Sequence, residues 1–140
     1  ETSLNLGILK TCGQEVTAST AIRSAVESAK HKVNLQVQTL TKLFGGSAET
    51  HGEYPGWQYD PDSRLRAEMV RIYKEMFGKD VQVEALHAGL ECGIMTAKIP
   101  GLDCVSFGPN IYDIHTTEER LSISSAARMW KYLLEILKQQ

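Results

Sequence analysis

Within the first 44 residues, the spacing of apolar residues changes from the two-residue period of strands to the three- or four-residue period of a helix. Alternating positions on both sides of Gly13 predict a hairpin of two half-buried strands. These positions are Leu4, Leu6, Ile8, Val16, Ala18, Thr20 and Ile22. From Val26 to Phe44, apolar residues recur every three or four positions, which predicts a helix ending at Gly45-Gly46. With a third strand predicted at 47–54, this order is half of a ferredoxin-like α/β sandwich.

Prolines at 55 and 61 predict a boundary near residue 60. Beyond it, we predict a helix from Asp62 or Ser63 to Gly78, a strand at 81–85, a helix from Leu90 or Glu91 to before Pro100, and a strand at 104–107. The apolar face of a closing helix is predicted to consist of Ala126, Trp130, Leu133, Leu134 and Leu137. Alternating helices and strands favour an α/β fold with parallel pairing covered on both faces, so this half is also predicted to be part of a larger sheet.

The composition fits a soluble enzyme or a piece of one. A hydrophobic fraction of 42% in 140 residues can build a core. The net charge of −2 and pI near 6.1 give no reason to expect nucleic acid or an anionic membrane as partner. No secretory signal or membrane-length apolar run is present. Three cysteines without metal-finger spacing favour reduced thiols and a cytoplasmic location.

Two clusters of polar side chains each follow a predicted strand. The first is residues 87–93, His-Ala-Gly-Leu-Glu-Cys-Gly. The second combines residues 107–110, Phe-Gly-Pro-Asn, with residues 113–122, Asp-Ile-His-Thr-Thr-Glu-Glu-Arg-Leu-Ser. The carboxyl ends of parallel strands form the crevice that receives ligands in open α/β sheets. Both clusters are therefore candidate site segments.

Together these motifs resemble the C-terminal part of the aminoacyl-histidine dipeptidases, cytosolic dinuclear-zinc peptidases of the carboxypeptidase and aminoacylase superfamily. The resemblance implies the second half of a ferredoxin-like lid (dimerisation-type) domain at residues 1–60. It further implies the C-terminal part of the zinc-peptidase α/β sheet domain at residues 61–140. Relatives carry most metal ligands and the catalytic glutamate in an N-terminal segment that nothing here matches. We therefore interpret the chain as a fragment that is inactive alone.

The resemblance assigns a zinc ligand to His115 and a substrate contact to Arg23. A neutral imidazole can offer one nitrogen to the metal while the other donates to an acceptor. A surface-loop histidine is the alternative for His115. Arg23 would bind the C-terminal carboxylate of the substrate through its two-pronged guanidinium. An exposed arginine at a sheet edge is the alternative for Arg23.

Substrate contacts are also expected at Glu91, Gly89 and Asn110. Glycines flanking a helix start let backbone N–H groups approach a ligand, and Glu91 would suit the amino group or imidazole of the substrate. A helix-capping glutamate and a turn asparagine explain Glu91 and Asn110 equally well. His87 is expected to be structural, and Glu118-Glu119 to be solvated or indirectly acting charges.

The resemblance thus predicts a peptidase that hydrolyses Xaa-His dipeptides with water activated by two zinc ions. Its expected partners are the dipeptide and either a second copy of the chain or the missing N-terminal half. The alternative from another class is a non-catalytic α/β dimerisation or interaction module.

Overall fold

The computed structural model describes residues 2–87 and 90–139 and shows a mixed α/β chain with four helices and two small sheets in that part. In chain order the elements are β1 (Thr2–Cys12), β2 (Glu15–Ser24), α1 (Glu27–Leu43), α2 (Arg64–Phe77), α3 (Glu91–Lys98), β3 (Ile111–Tyr112), β4 (Arg120–Leu121) and α4 (Ile123–Lys138). None of the helices in these two ranges is long and apolar enough to cross a membrane.

Contacts within the chain define two compact units. The first comprises Glu1–Asp60 and Glu84–Leu102, and the second comprises Pro61–Val83 and Asp103–Gln140. These units describe packing only. The division into domains at residues 1–60 and 61–140 stays a prediction.

The first unit opens with the predicted hairpin. Strands β1 and β2 pair antiparallel, with Leu4 opposite Ile22 and Cys12 opposite Glu15. A register shift between Leu6 and Ile8 interrupts the ladder. Such a bulge inserts one extra residue and increases the local twist. The hairpin turn has φ 60° at Gly13, a conformation that glycine adopts without a Cβ penalty.

Helix α1 confirms the predicted helix, but only part of its predicted face is covered. Val33 and Val37 are partly buried, whereas Leu40 and Phe44 are 56% and 88% exposed. The periodicity identified the correct stripe near the middle of the helix. Its C-terminal end is exposed in the described part of the chain.

The strand predicted at 47–54 is wrong. The described residues provide no strand that pairs with this segment. It is instead held against α1 by side chains, because the Thr50 hydroxyl lies 3.2 Å from Asn34 Oδ1 and 3.3 Å from Gln38 Nε2. Its β-like composition therefore does not lead to a strand, since a strand requires a partner for its backbone groups.

The second unit is built on two capped helices. Helix α2 begins after Ser63, whose hydroxyl accepts a hydrogen bond from Arg66 N–H at 3.0 Å. It ends at Gly78, which is left-handed with φ 65°. Both signals agree with the sequence prediction. Asp103 reinforces the start of α2 by accepting from the Ser63 hydroxyl and from Leu65 N–H.

Helices α2 and α4 enclose the most buried hydrophobic side chains of this unit. The core consists of Met69, Ile72, Tyr132 and Ile136. Ile72 is fully buried, and the Tyr132 hydroxyl donates to Met69 O at 2.6 Å. Burial raises the pKa of Tyr132, so the phenol stays protonated and can act as this donor.

The strands predicted at 81–85 and 104–107 do not form in the described part of the chain, and parallel pairing within a larger sheet stays a prediction. The described residues form only two antiparallel sheets, and β3 and β4 pair over two residues each. Residues 104–107 contribute side chains to the core instead: Val105 packs against it, and the Phe107 ring lies 5.5 Å from that of Tyr132. Only part of this run is covered, since Cys104 and Val105 are half-buried whereas Phe107 is 42% exposed.

Only part of the face predicted for the closing helix is covered, since Ala126 and Leu133 are half-buried and the other three residues are exposed. Trp130 and Leu137 are each 60% exposed, whereas Ser125, Tyr132 and Ile136 are buried. Helix α4 carries two neighbouring apolar stripes, and spacing alone does not tell which one meets α2. The Tyr132 phenol has an acceptor on α2, which makes its burial favourable.

Candidate functional site

A recess in the first unit brings basic side chains together. It has a volume of about 50 Å³ and is lined by Ile22, Arg23, Ser24, Lys30, Tyr54, Pro55 and His87. A single water needs only roughly 10 to 15 Å³. The recess therefore has room for a group the size of a carboxylate, but not for a whole dipeptide. No carboxylate side chain is among its lining residues.

Arg23 is the basic group of this recess that is available to a ligand. It lies on β2 opposite Ser3, one residue before the strand ends. Within residues 2–87 and 90–139 its guanidinium has no hydrogen bond or ion pair. His87, expected to be structural, lines the same recess. The structure thus brings Arg23 and His87 together, and an anion is the complementary ligand.

Residues at the start of α1 make hydrogen bonds to the segment that lines one side of the recess. The Glu27 carboxylate lies 2.7 Å from Lys30 Nζ and accepts from Gly56 N–H at 2.9 Å. These two contacts, the Lys30 hydrogen bond first, lower the pKa of Glu27. Lys30 also donates to Tyr54 O. Sequence reasoning missed Glu27 and Lys30, because an acid and a base three positions apart on a helix are an ordinary surface pattern.

The segment at 54–57 also touches the start of α3. A Cβ at Gly93 would lie 3.0 Å from Pro55 O, so a larger residue would press on that carbonyl. Glu91 is exposed and is the first residue of α3, where a negative charge interacts favourably with the helix dipole. The expected substrate contact at Glu91 stays a prediction. Gly89 lies outside the described residues.

His115 lies on an exposed loop between β3 and β4 in the second unit. Its φ is 66° and that of Asp113 is 51°, the left-handed region that residues with a Cβ rarely adopt. The His115 N–H donates to Glu119 Oε2 at 2.8 Å. Arg120 pairs with Asp113 and lies 5.4 Å from the Tyr112 ring centroid. The loop is therefore both accessible and fixed by its own residues.

Asn110 lies at the base of the same loop. Its backbone N–H donates to the Ser125 hydroxyl at 2.9 Å, and its carbonyl accepts from Ser122 N–H at 3.0 Å. Asn110 thereby connects the loop to the start of α4 through its backbone. Substrate binding by the Asn110 side chain stays a prediction.

The donor set for a metal is incomplete in the described part of the chain. No group of three or more His, Cys, Asp or Glu side chains there could hold an ion. The exposed imidazole of His115 suits one position in a zinc site, since histidine nitrogen is an ordinary zinc ligand. The described residues therefore do not form a metal site by themselves, and the His115 imidazole could serve as one ligand of such a site.

The fold and these motifs are those of a metallopeptidase segment. The chain belongs to peptidase family M20/M25/M40, whose family model matches residues 9–139. The family prediction made from the two polar clusters is thereby confirmed.

Two relatives extend this result. The chain is 37% identical to the cytosol non-specific dipeptidase of Escherichia coli (strain K12) over 139 residues, which are 99% of this chain and 29% of that protein. The crystal structure of aminoacylhistidine dipeptidase from Vibrio alginolyticus matches with a TM-score of 0.84 and 35% identity, covering 99% of this chain and 28% of that one. The match confirms the mixed α/β fold. The chain spans less than a third of the length of either relative.

Proposed function

We propose that this chain is the C-terminal portion of a metal-dependent dipeptidase that acts on Xaa-His dipeptides in the cytoplasm. Family membership and the similarity to two dipeptidases support the reaction class. The relative from Escherichia coli is named as a cytosolic enzyme, which supports the location. The Xaa-His preference rests on the relative from Vibrio alginolyticus, which is named an aminoacylhistidine dipeptidase.

The observation that carries the proposal is the exposed His115 on its fixed loop. An imidazole without burial contributes little to packing, and the unfavourable backbone conformation at His115 needs a reason other than stability. Presentation of a metal ligand is such a reason. Two zinc ions, when bound, would supply Lewis-acid activation of water and of the peptide carbonyl.

Arg23 has the complementary task of orienting the substrate. Its guanidinium, which has no partner among the described residues, lies beside a carboxylate-sized recess and suits the C-terminal carboxylate of a dipeptide. This chain would then contribute one metal ligand and substrate contacts. Since three protein ligands are usual even for one catalytic zinc, the 140-residue chain alone is expected to be inactive.

The test uses the longer protein that contains this chain. We expect hydrolysis of an Xaa-His dipeptide that is lost on chelation and restored by zinc. His115→Ala should abolish turnover and reduce zinc content with unchanged circular dichroism, because the side chain is exposed. His51→Ala is the matched control, since its side chain is 81% exposed and far from the motif in sequence. Normal zinc content and rate in His115→Ala would reject the ligand assignment.

Arg23→Lys tests the substrate contact separately. An ammonium cannot reproduce paired hydrogen bonds to a carboxylate, and a charged hydrogen bond is worth about 1.5 to 3 kcal/mol. We therefore expect KM to rise by roughly tenfold or more for the free dipeptide, and by less for its C-terminal amide. Arg128→Lys on the exposed side of α4 is the control. Equal penalties for acid and amide would remove Arg23 from the site.

A non-catalytic dimerisation module is the second candidate, favoured by the exposed apolar side chains of the hairpin. Leu6 and Leu9 on β1 are 56% and 63% exposed, and Val16 on β2 is 64% exposed. Such a surface is typical of an interface. A longer protein that is dimeric, binds no metal and hydrolyses no dipeptide would support this candidate over the enzyme.

A further inference from the structure

The conformation of the His115 loop depends on a few side chains close in sequence. Two residues with a Cβ, Asp113 and His115, occupy the left-handed region. This conformation is costly for such residues and persists only where surrounding contacts impose it. The loop is exposed, so core packing cannot be the source of that constraint. Hydrogen bonds and ion pairs within the loop must supply it.

Glu119 makes the contact that fixes His115 directly. Its Oε2 accepts from the His115 backbone N–H at 2.8 Å, a charge-assisted hydrogen bond. The Glu118 carboxylate, one residue earlier, makes no hydrogen bond or ion pair within the described ranges. Two adjacent glutamates thus differ in one respect that can be tested. Only Glu119 holds the backbone of His115.

Further hydrogen bonds and an ion pair connect the residues on either side of His115. Asp113 O accepts from Thr116 N–H at 3.2 Å and from its hydroxyl at 2.6 Å. The Thr116 hydroxyl in turn lies 3.2 Å from Glu118 N, and Thr116 O accepts from Glu119 N–H at 3.3 Å. The Asp113–Arg120 ion pair joins the two ends of the loop. The backbone before and after His115 therefore has few alternative conformations.

We propose that Glu119 is a positioning residue for His115: its carboxylate holds the His115 backbone in the left-handed conformation and so fixes the direction of the imidazole. This rests on the proposed function, in which His115 is a metal ligand. A ligand that needs no reorientation loses less conformational entropy on binding a metal. Outer groups that orient metal ligands typically contribute 10- to 100-fold in metal affinity or activity.

The test compares Glu119→Ala, Glu119→Gln and the matched control Glu118→Ala in the longer protein. An amide oxygen can still accept from an N–H group, though more weakly than a carboxylate. For a positioning residue we expect zinc affinity, measured by chelator competition, to fall about tenfold or more in Glu119→Ala and by less in Glu119→Gln. The fall should appear in kcat at limiting zinc, with KM near that of the parent. Glu118→Ala should match the parent.

A second measurement is independent of enzyme activity. Exchange of the His115 backbone N–H with solvent, followed in the metal-free protein, should accelerate in Glu119→Ala and not in Glu118→Ala. Equal exchange and equal zinc affinity in the two alanine variants would overturn the inference. An equal loss of kcat in Glu119→Ala and Glu119→Gln would also overturn it, because that result is expected if Glu119 acts as a general base. A parent protein without zinc binding or dipeptidase activity would refute the proposed function, while the exchange comparison would still decide the role of Glu119.

Discussion

Gly56 should be intolerant of a side chain because backbone atoms surround it. A Cβ at this position would lie 2.6 Å from Ala25 O and 3.2 Å from Ser24 O. Both are backbone atoms, Ser24 at the end of β2 and Ala25 in the connection to α1, so they cannot rotate away as a flexible side chain could. Gly56→Ala must therefore displace the segment at 54–57. That segment carries Tyr54 and Pro55, which line the recess beside Arg23.

Overpacking of this kind typically costs about 1 to 3 kcal/mol. Replacing glycine by alanine also reduces the entropy of the unfolded chain, which stabilises by about 0.4 to 1 kcal/mol. The expected net effect of Gly56→Ala is a loss of roughly 1 to 2 kcal/mol in the free energy of unfolding. The displaced segment would also weaken the hydrogen bonds that Glu27 and Lys30 make to it.

The measurement is urea unfolding of the longer protein, combined with hydrogen exchange of α1 and of residues 54–57. Gly108→Ala is the matched control, because a Cβ there meets no heavy atom within 4 Å. The control should be neutral or slightly more stable. Faster exchange of residues 54–57 and a higher KM for the dipeptide should accompany the loss of stability in Gly56→Ala. If both variants unfold alike and exchange alike, the close approach at Gly56 does not constrain this segment.

Two further predictions concern the second unit. Because Ile72 is fully buried, Ile72→Ala should lower the free energy of unfolding by about 2 to 5 kcal/mol and Ile72→Val by about 0.5 to 1.5 kcal/mol. Ile123→Ala is the control at an 84% exposed position and should change the free energy of unfolding by no more than about 0.5 kcal/mol. Urea unfolding that does not rank the three variants in this order would contradict the assigned core. Burial alone would raise the pKa of Asp103, but hydrogen bonds from the Ser63 hydroxyl and from backbone N–H groups outweigh it, and the pKa is lowered. Asp103→Asn should therefore destabilise the protein at neutral pH, with the difference disappearing as the pH falls below the unfolded value of about 3.9 and through the folded pKa; a difference that persists at the lowest pH would show that the ionised form is not responsible.

The helices could be predicted from the sequence because their boundaries depend on neighbouring residues. Ser63 accepts from an N–H three positions later, and Gly78 ends the same helix with a left-handed backbone. Both contacts are contained in a window of a few residues. The exposed face of α4 could not be predicted, because it depends on where α2 presents the carbonyl of Met69 to Tyr132.

The strands predicted beyond residue 46 failed for a related reason. Alternating or apolar residues make a segment suitable for a sheet, but pairing requires a second segment at the right place. The hairpin of β1 and β2 brings its own partner across a two-residue turn, and it forms as predicted. Residues 47–54 and 104–107 have no such neighbour in sequence. Their side chains pack on α1 and on the core instead.

The same distinction separates the His115 loop in the second unit from the recess at Arg23 in the first unit. The loop at His115 is closed by contacts among residues 110–125, so its residues already stood together as a motif in the sequence. The recess at Arg23 requires residues from three distant segments, at 22–30, 54–55 and 87. Lys30 could therefore be recognised only in the structure. Substitutions that break the Glu27–Lys30 pair at the start of α1 should shift the backbone of Tyr54 and Gly56, because Lys30 and Glu27 hydrogen-bond to it. The lining of the recess beside Arg23 should change as a result. Such substitutions would affect the proposed substrate orientation without affecting the proposed metal ligand, since the His115 loop is stabilised by contacts among its own residues.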